Sequence, residues 1–99
     1  MGRPMPDPLR FRATIRYWRP ERGAGLAVVD IPADIATALG GLKQMRVRGA
    51  IGGAAYTSST MPAGSGRLAL SVSLKMLDAA GLSVGDEGDF EIEKIEAQV

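Results

Sequence analysis

The alternation of apolar and polar residues along the chain predicts a series of short β-strands. From Leu9 to Tyr17, apolar side chains at Phe11, Ala13, Ile15 and Tyr17 alternate with arginine and threonine. Period-two alternation is typical of a strand with one buried face, and here the other face is strongly basic. The same alternation recurs in residues 45–51, 68–72 and 90–93, and residues 26–31 form an apolar run interrupted only by Asp30.

Two short helices are predicted from their boundary residues. Pro32 suits the start of a helix over PADIATAL, and Gly40 suits its end. Ser73 is a typical N-cap for a second helix over residues 74–80, which Gly81 would stop. Residues 54–60 are a further candidate strand, and the last strand should bulge or end near Lys94, where Ile95 breaks the alternation.

The same order of elements occurs twice. An apolar strand, a short helix ending in glycine, a turn and an alternating strand occupy residues 26–51 and again residues 67–92, at an offset of 41. Element order therefore favours an internal repeat. We predict a mainly β fold, a double-split β-barrel built from two strand–helix–strand units with two short helices. The alternative is an open sheet with conventional βαβ crossovers.

Length and composition restrict the function classes. The chain has 99 residues, which suits one domain, predicted over residues 9–96 after a flexible tail at 1–8 that is rich in proline. It contains no cysteine and no histidine, which excludes thiolate chemistry and removes the commonest general base and metal ligand. No apolar run reaches the ~18 residues of a membrane span, and no signal peptide is seen, so we expect a cytoplasmic location without membrane association.

Charge is divided unevenly between the two halves. Residues 1–50 carry nine Lys/Arg and four Asp/Glu, whereas residues 51–99 carry three and seven. One interpretation is that the halves attract each other, within the fold or across a homodimer; the other is that the basic half meets an acidic partner. Because the strand that corresponds to Arg46 and Arg48 in the second repeat carries Glu87 and Asp89, nucleic acid is the less favoured partner.

The hydroxyl-rich stretch YTSSTMPAGSGR, residues 56–67, is the main candidate for chemistry. It lacks the GxxxxGK[ST] pattern and opens no helix, so we interpret residues 57–67 mainly as a hairpin loop, with Pro62 at the turn entry and Gly64 and Gly66 supplying the backbone angles. The alternative is an anion or polar-ligand site. Its predicted contacts are Ser58, Ser59, Arg67, Lys75 and Arg48.

Catalytic chemistry has little support in these residues. Lys75 is the only base within reach of a serine in sequence, and its spacing from Ser73 is better explained by a helix cap. The acidic run at residues 86–93 lacks calcium-loop spacing and indicates a solvated strand face. We therefore predict no catalytic residue, no metal and no cofactor.

Four motifs carry a resemblance to known proteins: VVDIP at 28–32, RVRGAIGG at 46–53, SSTMPAGSGR at 58–67 and GLSVGD at 81–86. The second repeat resembles the strand–helix–strand unit of AbrB/MazE-like swapped-hairpin transcription factors. From Leu9 to Glu93, the chain is more similar to a bacterial family of small double-split β-barrels of unknown function. The resemblance implies that fold, and some members are fused to bacteriocin-protection (OmpD-associated) modules.

These features lead to one functional prediction and two alternatives. We predict a small non-catalytic binding or interaction module whose small ligand or protein partner the sequence does not identify. The first alternative is an AbrB-like DNA-binding protein. The second is an enzyme or small-ligand site in residues 57–67.

Overall fold

The computed structural model describes residues 8–19, 21 and 25–95. Residues 1–7 of the predicted tail and the predicted domain end at residue 96 lie outside this description. The described part is mainly β. Its strands are β1 (Leu9–Thr14), β2 (Arg16–Tyr17), β3 (Ala27–Ile31), β4 (Arg46–Ile51), β5 (Ala54–Gly64), β6 (Arg67–Val72) and β7 (Glu87–Lys94).

The strands form one curled antiparallel sheet, a half-barrel, in the order β1-β7-β4-β5-β6-β3-β2. Every strand pair between described residues is antiparallel, so the alternative of βαβ crossovers is wrong. The two ends of this order are neighbours in the chain, because only Ile15 separates β1 from β2. Residues 9–17 therefore pair with β7 at one end and with β3 at the other.

Both predicted helices are confirmed. Helix α1 (Ala33–Leu39) begins directly after Pro32 and ends at Gly40, whose N–H donates to the carbonyls of Ala36 and Thr37. Helix α2 (Leu74–Ala80) is capped by Ser73, whose hydroxyl oxygen accepts a hydrogen bond of 3.1 Å from the Met76 N–H. Gly81 ends α2 in a left-handed conformation, which a glycine adopts without steric cost.

The hairpin predicted within residues 57–67 is present, and Gly64 and Gly66 have positive φ as expected, but its loop is much shorter than predicted. Strand β5 continues to Gly64, and the turn to β6 contains only Ser65 and Gly66. Ser65 has φ +52° and Gly66 has φ +72°, which is the two-residue turn whose twist suits a tight hairpin. Pro62 lies within the strand opposite Leu68, and a register shift between Pro62 and Gly64 accommodates it.

The core lies on the concave side of the curled sheet, and both helices contribute to it. Its largest fully buried side chains include Phe90, Ile15, Ile51, Leu68, Leu70 and Ile92. Ala36 and Leu39 of α1 and Leu77 of α2 join the same cluster. The alternation read from the sequence thus identifies the inward face correctly: Met45, Val47 and Ile51 are buried, and Arg46 and Arg48 are exposed.

Thr60 is a buried polar residue with all of its bonding satisfied. Its hydroxyl accepts from the Met45 N–H and donates to the Lys43 carbonyl, both at 3.0 Å. Its own N–H donates to the Met45 carbonyl at 2.9 Å. Thr60 therefore fixes the segment that leads into β4 and takes no part in a surface site.

Candidate functional site

An open groove of about 440 Å³ lies where β1, β7 and the β4–β5 turn meet. That volume is within the usual range for small-molecule sites. Arg10 of β1 lies on one side, and the turn glycines Gly52 and Gly53 lie on the other. The groove is lined further by Phe11, Asp89, Phe90 and Glu91. Its lining thus includes charged residues of both signs and two phenylalanines that are themselves buried.

Two phenylalanines form the apolar part of the groove. Phe11 lies opposite Phe90 in the β1–β7 register, and their rings stack with centroids 5.3 Å apart and planes inclined by 9°. Phe90 is fully buried, and Phe11 is at the edge of the core. Strand pairing therefore holds both rings in the core, where they expose little surface to the groove.

The glycine turn leaves Asp89 without a side chain opposite it on the β4 side, whereas Arg12 lies opposite it on β1. The Gly52 N–H donates to the Asp89 carbonyl at 3.0 Å, so these two residues continue the β4–β7 pairing beyond Ile51. Gly52 has φ +54°, and a Cβ built on it would contact nothing within 4 Å. The space beside Asp89 is therefore open because Gly52 has no side chain, and not because the two backbones are far apart.

Other acidic side chains of β7 are paired with arginines. Arg12 of β1 contacts Glu87 at 2.9 Å and, more weakly, Asp89 at 3.7 Å. Arg48 of β4 donates to the Glu93 carboxylate at 2.9 Å. These pairs join arginines of the first half of the chain to carboxylates of the second, as the attraction between halves predicted.

A further ion pair links β2 to β3. Arg16 donates two hydrogen bonds of 2.9 Å to the Asp30 carboxylate, one to each oxygen. This bond, and less strongly the nearby charges of Arg16 and Arg67, hold the pKa of Asp30 below its usual value although burial opposes the shift. The same hydrogen bond raises the pKa of Arg16.

The Tyr56 side chain of β5 bonds to β7, two strands away in the sheet, at the point where β4 has a glycine. It lies opposite Gly49 in the β4–β5 register, and its hydroxyl donates to the Glu91 carbonyl at 2.8 Å. Burial raises the pKa of the Tyr56 hydroxyl above its ordinary value, and the Glu91 carboxylate raises it further. The phenol is therefore a hydrogen-bond donor here, unsuited to act as a base.

The two serines proposed as ligand contacts lie on opposite faces of β5. Ser58 faces the same side as buried Val47 and donates its hydroxyl to the Ser71 carbonyl at 2.6 Å. Ser59 lies opposite Arg46, on the outer face that it shares with Arg48. The structure therefore brings Ser59 and Arg48 to one face and places Ser58 on the other.

The three basic residues of that proposal lie on different elements. Arg48 is on β4 and is paired with Glu93. Arg67 is exposed at the start of β6, beside the Ser65–Gly66 turn. Lys75 is exposed in the first turn of α2. Their positions do not outline a single cavity between them.

Residues of the groove were not identified as a site by sequence reasoning. Alternation places Phe11 on a buried strand face, and Asp89 and Glu91 belong to the acidic run that indicates a solvated face, so neither pattern indicates a site. The available signal was the pair of adjacent glycines between two alternating strands. It could not indicate a groove without the knowledge that β1 lies beside β7.

The described residues contain neither a cluster of potential metal ligands nor a helix suited to cross a membrane. Residues 8–19, 21 and 25–95 contain no group of three acidic side chains arranged to hold a metal ion. Within the same ranges, neither helix has the length or apolar character needed to cross a bilayer.

Comparison with known proteins gives a family without an assigned activity. A search among curated proteins finds no match. The family model for a domain of unknown function, DUF1905, matches residues 11–92, which include every strand and helix described above except the ends of β1 and β7. The chain belongs to the DUF1905 family.

Proposed function

We propose that this domain is a small non-catalytic module that binds a ligand or partner at the groove between β1, β7 and the Gly52–Gly53 turn. The observation that carries the proposal is that Arg10, Asp89 and Glu91 line one opening of about 440 Å³ beside a turn whose glycines add no side chain. The hydroxyls that a nucleophilic mechanism would use support the same view. Ser58 is bonded to a backbone carbonyl, and Ser73 caps a helix.

Thermal-shift screening of the whole chain tests this proposal. A ligand that binds only the native state raises the denaturation midpoint, and the shift grows with the logarithm of the ligand concentration once this exceeds the Kd. We expect hits whose shift is reduced in an Asp89→Asn variant and retained in Glu87→Gln, which makes the same chemical change on the same strand but outside the groove. Hits that are insensitive to Asp89→Asn, or no hits at all, would contradict a binding role for the groove.

DNA binding, the first alternative, is disfavoured by the pairing of the arginines. Arg12 and Arg48 already face carboxylates at 2.9 Å, so binding phosphates would require these pairs to break. We expect no salt-sensitive shift of random duplex DNA in a mobility assay at ~50 mM salt, where nonspecific binders show affinity. Binding that disappears in an Arg46→Glu, Arg48→Glu variant that still folds would favour the DNA-binding alternative instead.

A ligand site along residues 57–67 is the second alternative. Two of its predicted contacts support it, since Ser59 faces outward beside Arg48 and Arg67 forms no ion pair within the described residues. The same screen distinguishes a ligand that binds the groove from a ligand that binds along β5. Sensitivity to Arg67→Gln without sensitivity to Asp89→Asn would favour the β5 site.

We also propose that the half-barrel is a double-split β-barrel made of two related units, unit A (residues 9–51) and unit B (residues 54–94). The helices begin at Ala33 and Leu74, 41 residues apart. Strands β3 and β6 pair about Val29 and Leu70, and β4 and β7 pair about Ala50 and Glu91, again 41 residues apart. A twofold relation between the units accounts for both offsets.

The first strand of each unit follows the same relation. Leu9 of β1 lies opposite Ile92, and Ala54 of β5 lies opposite Ile51. Ile51 precedes Ile92 by 41 residues. The Ile15 N–H donates to the Asp86 carbonyl and the Thr60 N–H to the Met45 carbonyl, both at 2.9 Å. Each unit proposed here thus extends the repeat predicted from the sequence, by β1 and β2 in unit A and by β5 in unit B.

Location, source and assembly stay predictions. We propose the cytoplasm, since a chain without cysteine has no disulfide to protect from reduction. Bacterial origin and fusion to bacteriocin-protection modules are implied by the resemblance alone. A homodimer is testable by light scattering against the chain mass of 10.4 kDa.

A further inference from the structure

Two arginines lie opposite two hydroxyl residues on the outer face of β4 and β5. Arg46 is paired with Ser59, and Arg48 is paired with Thr57, in the β4–β5 register. Directly opposite residues have Cβ atoms about 5 Å apart, and alternate residues of one strand are about 7 Å apart. The four side chains therefore share one small area, on the face opposite to that of buried Val47.

Within the described residues, Arg46 is the arginine of this face that has no carboxylate partner. Arg48 donates to the Glu93 carboxylate at 2.9 Å, whereas Arg46 forms no ion pair in the same part of the chain. On the β7 side, the Arg46 carbonyl accepts from the N–H of Ile95, an apolar residue, at 2.9 Å. From residue 35 to residue 77 the chain has five Lys/Arg and no Asp/Glu, so β4, β5 and β6 offer Arg46 no counter-charge.

The proposed twofold relation shows how the corresponding charge is neutralised in the other half. At the offset of 41, Arg46 corresponds to Glu87, and β5 beside β4 corresponds to β1 beside β7. Arg12 of β1 contacts the Glu87 carboxylate at 2.9 Å. The residue in the place of Arg12 on β5 is Thr57, which has no charge. The strand beside Arg46 thus provides hydroxyls where the strand beside Glu87 provides a counter-charge.

The outward hydroxyls of β5 are available to a ligand. Ser58 and Thr60 lie on the inward side, and their hydroxyls donate to backbone carbonyls. Thr57 and Ser59 alternate with them, and neither hydroxyl makes a hydrogen bond within the described residues. Two parallel N–H groups of one guanidinium satisfy a carboxylate, but a phosphoryl group has a further oxygen that can accept from a hydroxyl.

We propose that Arg46, Thr57 and Ser59 bind a phosphoryl group, either free phosphate or a phosphate monoester. Arg46 supplies the charge and two parallel hydrogen bonds, the hydroxyls donate to the remaining oxygen, and Arg48 stays paired with Glu93. The site is separate from the groove and does not rest on it. It specifies the second alternative, because it places the ligand at the start of residues 57–67. A single phosphate contact does not produce affinity for duplex DNA, which requires several at once.

Backbone amide shifts of the ¹⁵N-labelled whole chain test the proposal. Phosphate and methyl phosphate are the probes, and acetate and chloride at the same ionic strength are the controls. We expect saturable shifts at residues 46–48 and 57–59 with the phosphoryl probes and only small, non-saturating shifts with the controls. Because Arg46 is exposed, the affinity should fall as salt is added. Equal shifts with acetate or chloride, or no shift at these residues, would overturn the assignment.

Variants connect those shifts to Arg46. Arg46→Gln should weaken phosphate affinity about tenfold or more, since hydrogen bonds from a charged group are lost. Arg67→Gln should leave the affinity within about twofold. Arg67 is the matched control because it is an exposed arginine at the far end of β5, opposite Gly64 and about 15 Å from Ser59.

Two milder variants examine the geometry. Arg46→Lys should retain part of the affinity, because an ammonium keeps the charge but cannot donate two parallel hydrogen bonds. Ser59→Ala should weaken binding about threefold or more through the lost hydroxyl. The ¹⁵N spectrum of each variant verifies that it is folded. Unchanged affinity in folded Arg46→Gln, or an equal loss in Arg67→Gln, would overturn the proposal.

The same titrations identify the source of the phosphoryl group. Tighter binding of phosphate indicates the free ion, and equal or tighter binding of methyl phosphate indicates a phosphorylated metabolite or side chain. Asp89→Asn, which changes the groove, should leave phosphate affinity within about twofold. Failure of phosphate to bind therefore leaves the groove proposal intact, and a groove without ligands leaves the phosphate site intact.

Discussion

At the residue scale, Gly49 shows how closely β4 and β7 approach. A Cβ at this position would overlap the backbone carbonyl oxygen of Glu91, which is also the acceptor of the Tyr56 hydroxyl. Gly49 does not have a positive φ, so its requirement for glycine is steric and not conformational. Tyr56, directly opposite on β5, covers the space that a side chain at residue 49 would otherwise fill.

Substitution of Gly49 by alanine should therefore destabilise the fold strongly. We expect Gly49→Ala to lower the free energy of unfolding by about 1–3 kcal/mol or more, as overpacking does. Gly88→Ala is the matched control, because its added Cβ would meet the end of the Leu82 side chain at 2.9 Å, which can rotate away. Urea denaturation of both variants tests this, and equal losses would mean that the strand spacing relaxes freely.

At the element scale, the short strand β2 is attached to β3 by two register pairs and by the Arg16–Asp30 ion pair. Few backbone bonds hold so short a strand, so side-chain contacts matter more here than in β5 or β7. Trp18 extends the attachment, because its backbone N–H donates to the Leu26 carbonyl at 2.6 Å.

The contribution of this ion pair should depend on pH. Because the folded state lowers the pKa of Asp30, its contribution is complete above the unfolded pKa of about 3.9 and is lost as pH falls through the lowered value. We expect Asp30→Asn to cost less than about 1 kcal/mol at pH 7, since the pair is partly exposed and screened by solvent.

The measurement is the urea midpoint of wild type and Asp30→Asn between pH 7 and pH 2. The difference between them should disappear at the acidic end. Asp78→Asn is the control, because Asp78 lies on α2 outside any ion pair of the described residues. A difference for Asp30→Asn that persists unchanged at pH 2 would show that packing, and not charge, attaches β2.

The elements themselves differ in how far local sequence determines them. Both helices were predictable because Pro32, Ser73 and the two terminal glycines act on their nearest neighbours. The length of β5 was not, because Pro62 and Gly64 are turn formers in isolation. Pairing with β6 overrides that local preference, and the register shift at these residues makes Pro62 compatible with a strand.

At the scale of the whole molecule, the proposed division into two related units that a two-residue turn joins predicts that the fold tolerates a change of chain order. A permuted chain would begin at Gly53, run to Lys94, continue through a short glycine linker to Leu9, and end at Gly52. Leu9 and Ile92 are register partners, so the linker spans neighbouring strands. We expect this permutant to be folded, with a thermal midpoint close to that of the wild type.

The control permutant is opened between Ser65 and Gly66, within unit B, and uses the same linker. Both openings lie in exposed two-residue turns, so they differ mainly in whether a unit stays whole. Thermal denaturation and circular dichroism compare the two. A folded control beside an unfolded unit-boundary permutant would refute the division into unit A and unit B.

The groove belongs to this largest scale, which explains why the sequence did not predict it. Its walls come from residues 10–11, 52–53 and 89–91, and they meet only because residues 9–14 pair with β7. Alternation indicates which side of each strand is buried, but it carries no information about which strands are neighbours. The charge division favoured attraction between the two halves of the chain, and the ion pairs of Arg12 and Arg48 with carboxylates of β7 agree with it.

The position of residues 9–17 at both ends of the sheet order has a consequence for solubility. An uncovered strand edge is a template on which further chains can add, and apolar β3 (AVVDI) is an effective one. Here residues 9–17 pair with the edges of both β3 and β7. Local detachment of this one segment would therefore expose two unpaired strand edges at once. The lifetime of a concentrated solution should then depend on how often this segment detaches, and a conformation-specific binder of residues 9–17 that favours detachment should seed fibrils.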